Sequence, residues 1–160
     1  MKLARTGVIA AAILAVATVA YAQKPDFSGT WTLDPDASTM GGGGGGGRGG
    51  GRGMGGPMTV KMTADTLTVE RQMGGNTVTT TYKLDGSESV NKMMMGRGGE
   101  VETKSTAKWD GNKLVISTQR PGMGGEMMTT TETWSLEGGN LVIETTGGRG
   151  GGGKRVYKKG

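Results

Sequence analysis

The chain contains no cysteine and no histidine, one phenylalanine, and four prolines in 160 residues. Without cysteine, no disulfide can brace the fold, whatever compartment holds it. Without histidine or cysteine, Ser-His-Asp and Cys-His nucleophilic sites are excluded, together with the usual zinc sites. Carboxylates alone could supply acid–base chemistry, but no Asp or Glu pair stands out from ordinary surface charge. The stretch GGRGGGRG lacks the Lys-Ser/Thr and the strand-to-helix setting of a phosphate-binding loop. These absences point away from an enzyme.

The start of the chain says where it goes. Lys2 and Arg5 precede an apolar run from Gly7 to Ala20, and Ala20-Tyr21-Ala22 reads as a small-x-small cleavage site. Residues 1–22 are expected to be a secretory signal peptide cut after Ala22, which places the mature chain in the periplasm or outside the cell. Residues 23–160 then have the size of one domain. Taking Lys2 and Arg5 from the 19 basic residues leaves 17 against 14 acidic, a net +3. That balance is too mild to drive polyanion binding by itself.

Glycine (34 residues) and methionine (12) are abundant, and removing the glycine tracts exposes a regular pattern. About ten short segments are rich in Thr, Val, Ile, Tyr and Trp, from DFSGTWTLD through TLTVERQ and EMMTTTETWSL to KRVYKK. Apolar residues alternate in most of them: Phe27, Trp31 and Leu33 fall on one face, as do Met58, Val60 and Met62. Val78, Tyr82 and Leu84 share a face, and Val101, Ala107 and Trp109 oppose Glu102, Lys104 and Lys108. No helical period appears after residue 22.

The connections alternate in kind. ADT, DGSE, DGN and EGGN are tight hairpin turns, whereas Met40 to Pro57, MGGN, MMMGRGG, RPGMGG and GGRGGGG are rich in Gly, Met and Arg. In an up-and-down meander successive turns lie at opposite ends. One rim should therefore carry Asp65, Asp85, Asp110 and Glu137. The other should carry Arg48, Arg52, Arg97, Arg120 and Arg149 with Met54, Met73, Met93, Met94, Met95 and Met123. The expected fold is an all-β antiparallel meander closed into a barrel, since closure buries one face and removes the edges. Lys and Glu on its outer face exclude a lipid-embedded barrel, and no transmembrane span is expected in the mature chain.

At Phe27 to Trp31, FSGTW, the sequence resembles the calycins, the superfamily of lipocalins and fatty-acid-binding proteins, whose first strand carries Gly-x-Trp. Here that motif is Gly29-Thr30-Trp31. The chain is also similar to small exported bacterial proteins that begin DFSGTW and carry an AKWDGNKL hairpin. The resemblance implies a calycin-like barrel in which Gly29, Trp31 and a cation from the last strand close one end. Arg155 is the first candidate for that cation, with Lys154 and Lys158 as alternatives. Where fatty-acid-binding proteins place two helices between the first strands, this chain has a glycine tract, expected to be a flexible loop at 41–56, with a shorter one at 147–153.

Three functions remain. The first is a non-enzymatic binding protein for a small apolar or amphipathic molecule. Trp31, Tyr82 and Trp134 would contact the ligand, although Trp31 also reads as a core seal. Thr80, Thr103, Ser105, Thr130 and Glu132 are inward candidates that leave either a cavity or a filled polar interior. An inward Glu132 would need a partner or a proton, and a one-residue register shift would turn it outward. The second is a copper-handling protein with Met93, Met94, Met95 and Met123 as soft ligands for Cu(I). The third is an envelope protein whose basic rim meets anionic glycans or lipid headgroups. Nucleic acid is not expected as a partner, because Gly41–Gly56 holds two arginines and no aromatic residue.

Overall fold

A computed structural model describes residues 23–39, 56–73, 75–94, 99–122, 124–148 and 152–160. The segment read as a signal peptide with its cut after Ala22, the loop Arg48 and Arg52 occupy, and Met54, Met95, Arg97, Met123 and Arg149 lie outside them. Ten strands follow one another: β1 (Gly29–Thr39), β2 (Met58–Met62), β3 (Thr66–Met73), β4 (Asn76–Lys83), β5 (Ser89–Met94), β6 (Glu100–Asp110), β7 (Lys113–Pro121), β8 (Met127–Glu137), β9 (Asn140–Gly147) and β10 (Gly153–Lys159). The described residues contain no helix. Every sequential pair but β4 and β5 forms an antiparallel ladder, and β1 pairs with β10 to bring the ends together. The ten-stranded meander expected from the alternation and the turn chemistry is the observed architecture, a nearly closed barrel.

The one break in the ring is bridged by side chains. Asn91 on β5 imitates a strand: its Oδ1 accepts from the Thr81 amide and its Nδ2 donates to the Thr81 carbonyl, both at 2.9 Å. Beside it, the Lys83 amide donates to Ser89 Oγ at 2.8 Å. Backbone groups of β4 that would otherwise lack partners are thus satisfied without a ladder. In Asn91→Ala the Thr81 amide should exchange with solvent about fivefold faster, the effect of losing one hydrogen bond of about 1 kcal/mol. Amide exchange measured by nuclear magnetic resonance checks this, and unchanged protection at Thr81 would refute it.

Apolar side chains do not fill the barrel evenly. Within the strands they cluster toward the ends that meet the short acidic turns, where Phe27, Trp31, Leu67, Leu84, Ala107, Leu114, Trp134, Leu141 and Ile143 form the core. Phe27 is the plug of that end. Its ring stacks on Trp109 at 6.0 Å and meets Trp134 edge-on at 5.9 Å, while its carbonyl accepts from Trp31 Nε1 at 2.8 Å. The outer face carries exposed ion pairs such as Lys61–Glu70 at 2.9 Å and Lys104–Glu88 at 3.5 Å, which contribute little stability.

The cation over Trp31 is not the expected one. Register pairs Trp31 with Lys159 across β1 and β10, and Lys159 Nζ sits 5.6 Å from the indole centroid. Arg155 shares that inward face but lies four residues up β10, roughly 13 Å away at the rise of a strand. Lys158 and Lys154 point outward to Asp34 at 2.7 Å and Glu137 at 3.5 Å. Gly29 belongs to the same closure: its φ is +139°, and a Cβ there would stand 3.0 Å from Lys159 Cε. Glycine therefore leaves room for the lysine stem that crosses to Trp31.

Candidate functional site

Toward the glycine-rich end the inward positions change character, and the barrel is hollow. The cavity has a volume of about 400 Å³, within the range of small-molecule sites. Gly147, Gly148, Gly152 and Gly153 stand at its mouth on β9, β10 and the turn between them. Gly147, with φ +85°, lies so close to Thr129 that a Cβ would fall 2.6 Å from its carbonyl oxygen. The chain can pack this tightly there only without a side chain.

The wall has two chemistries. β3, β4 and β5 contribute Val69, Met73, Val78, Tyr82 and Met93, the apolar side chains of the lining, together with Arg71, Thr80, Asn91 and Lys92. β6 to β9 contribute Thr103, Ser105, Thr118, Thr130 and Thr145, a hydroxyl face. On β7 and β9 the residue two steps closer to the short turns is apolar, Ile116 below Thr118 and Ile143 below Thr145. Side-chain alternation continues up each strand, so the same face passes from core to cavity where Ile and Leu give way to Thr. A smaller notch of about 90 Å³ between Glu88, Lys104 and Gln119 has no apolar wall.

A charge cluster lies deep in the cavity. Glu132 faces inward, where Arg155 Nη2 donates to its Oε1 at 2.6 Å and Trp134 Nε1 donates to its Oε2 at 3.1 Å. Arg155 and Glu132 stand on β10 and β8 and meet across β9, whose Thr145 Oγ1 accepts from Arg155 Nη2 at 3.2 Å. Burial, the largest influence, would lower the Arg155 pKa, but Glu132 and Tyr157 together outweigh it, and the guanidinium is held above its ordinary value. Burial also raises the Tyr82 phenol, reinforced by the charge of Glu132, so Tyr82 offers a neutral hydroxyl. Arg155 Nη1 and Tyr157 Oη are buried without a hydrogen bond of good geometry.

The sequence candidates separate accordingly. Tyr82 lines the cavity, together with the inward candidates Thr80, Thr103, Ser105, Thr130 and Glu132. Trp31 and Trp134 do not. Both are fully buried in the core below it, and Trp134 acts on the cavity only through its hydrogen bond to Glu132. Of the methionines considered for copper, Met93 stands in the apolar wall. The Met94 side chain, Met95 and Met123 lie outside the described residues. Arg120 and Met73, read as rim residues, occupy strands and line the cavity. Arg71 and Asn91 went unnoticed in the sequence, although Arg71 follows Leu67 and Val69 in strict alternation and that parity points inward.

No family model matches this sequence, and neither does any curated protein. Solved structures do match. A variant of the fluorescent protein UnaG is 22% identical with a TM-score of 0.58, over 84% of this chain and 96% of that one. Human cRBP IV is 18% identical with a TM-score of 0.56, over 85% and 99%. The REP1-NXSQ fatty acid transporter is 17% identical with a TM-score of 0.54, over 83% and 95%. Likeness at this identity is likeness of backbone. The chain has the fold of the fatty-acid-binding-protein-like calycins.

Proposed function

We propose that the mature protein is an exported, non-enzymatic binding protein that holds one small amphipathic molecule inside the barrel. The observation that carries this reading is the divided cavity. The apolar lining side chains all stand on β3 to β5, among Arg71, Thr80, Asn91 and Lys92, while β6 to β9 add hydroxyls and charges, so a ligand with one greasy and one polar part finds a match for each. Thr103 already bonds the Asn91 carbonyl and Ser105 bonds Thr118, but a purely apolar ligand would offer nothing to Arg71, whose buried Nε has no partner. The fold neighbours support the reading by analogy, since one is a fatty acid transporter. Fold alone does not assign a ligand.

The test uses an amphipathic fluorescent probe, 1-anilinonaphthalene-8-sulfonate, titrated into the purified mature chain. One probe per chain should bind with a blue-shifted emission. Thr80→Trp, which places an indole in the cavity, should abolish that signal while the thermal melt stays cooperative. Probe fluorescence that survives the substitution would place the probe elsewhere and defeat the proposal.

A further inference from the structure

The seam between β4 and β5 divides the chain into two halves, β1 to β4 and β5 to β10, because the sheet begins at β4 and ends at β5. Among the described residues one ladder joins the halves, β1 on β10, and its register runs unbroken only from Trp31↔Lys159 to Asp34↔Val156. The seam itself is crossed by the two hydrogen bonds of the Asn91 side chain and the one at Ser89. No disulfide locks the halves, since the chain has no cysteine. Yet they share one core: Phe27, on the first half, packs on Trp109 and Trp134 of the second. Neither half covers its own apolar face.

The covalent hinge between them is short. The Leu84 amide donates to the Asp65 carbonyl at 2.8 Å, within the first half, and Glu88 pairs with Lys104 at 3.5 Å, within the second. Asp85, Gly86 and Ser87 carry the reversal. The Ser87 amide and hydroxyl both donate to Asp85 Oδ1, at 2.8 and 2.6 Å. Gly86 has φ +83°, and a Cβ there would stand 3.0 Å from Lys108 Cε. The closed turn thus depends on one glycine in a left-handed conformation.

We propose that two copies of this chain exchange halves. With the hinge at Asp85–Ser87 straightened, β1 to β4 of each copy closes the barrel of the other. Every ladder, the Phe27 plug and the bonds of Asn91 and Ser89 re-form between copies, and both barrels keep their cavity. Only the two turns are lost. The partner is therefore a second copy, held by the same β1–β10 ladder and the same core that close the monomer. Closure within one chain competes at an effective concentration of about millimolar order. Exchange is favoured at high concentration, or wherever the turn is strained.

Gly86→Pro tests this, because proline fixes φ near about −65° where the turn holds +83°. Light scattering after size exclusion should find the unaltered protein monomeric at about 10 μM, with dimer appearing after refolding at about 1 mM. Gly86→Pro should be dimeric already at about 10 μM, a gain of about a thousandfold, because each dimer escapes two strained turns. Connectivity is read by mixing isotope-labelled and unlabelled Gly86→Pro chains before refolding. Isotope-filtered Overhauser contacts between Leu33 and Tyr157, register partners on β1 and β10, should then run between chains. If Gly86→Pro loses its cooperative melt, a variant lacking Gly86 and Ser87 is read in the same way. A hinge variant that stays monomeric at every concentration would overturn the exchange. So would a dimer whose Leu33–Tyr157 contacts all lie within one chain.

Discussion

Glu132→Ala should destabilise the protein by about 3 kcal/mol, read as a shift of the urea unfolding midpoint. Removing one partner of a buried pair costs roughly 3–5 kcal/mol because the other charge is left unpaired. The lower figure applies here because the cavity admits water: the Arg155 and Glu132 side chains are 9% and 20% exposed. The substitution also removes the acceptor of the Trp134 indole N–H, a second buried donor. Adding Arg155→Met to Glu132→Ala should recover part of the loss, since no charge is then stranded. A coupling of about 1–2 kcal/mol between the two sites is expected. A loss below 1 kcal/mol for Glu132→Ala would mean that cavity water already screens the pair. The Arg155 pKa is raised on folding, so its contribution is complete at every pH below the ordinary arginine value and is lost only as pH climbs through the raised one. Alkaline titration to pH 10 should therefore leave this stabilisation in place.

The second large effect is expected at the opposite end of the barrel. Phe27 is the only phenylalanine and has no exposed surface. Truncating it to alanine should cost about 3–5 kcal/mol, the usual range for a large buried aromatic side chain. Its position makes the loss specific, because the stack on Trp109 and the edge contact with Trp134 both disappear. Near-ultraviolet circular dichroism should lose tryptophan intensity together with stability. Phe27→Leu keeps much of the volume and should lose less than half as much. A Phe27→Ala protein that melts within a few degrees of the parent would show that the core end collapses around the gap. The same result would remove the N-terminal segment 23–28 from any role in closing the barrel.

These two sites were unequally visible in the sequence. Phe27 stood in the FSGTW motif and alternated with Trp31, so its burial followed from a period of two. The Glu132–Arg155 pair did not follow from any local pattern. The two residues lie on strands separated by β9, and only the curvature of the sheet brings their long side chains together over Thr145. Parity marked Glu132 as inward on one register and outward on the next, and it carried no information about a partner 23 residues away. Arg71 was legible by the same parity but sat unremarked among the charged residues of TLTVERQ.

By itself the sequence determined the ten strands, their order as a meander and which residues of a strand share a face. These follow from alternation and from Asp-Gly and Gly-Gly turns, all interactions within a few residues. Tertiary structure decided what depends on register and closure. Pairing Trp31 with Lys159 put a lysine over the indole and released Arg155 upward into the cavity. Bending the sheet into a ring left a seam at β4 and β5 that Asn91 and Ser89 bridge. It also gathered the apolar lining side chains of β3 to β5 and the inward hydroxyls of β6 to β9 around one cavity. A period of two tells which side of a sheet a residue occupies, but how far along the strand it meets its neighbour is fixed only when the whole ring packs.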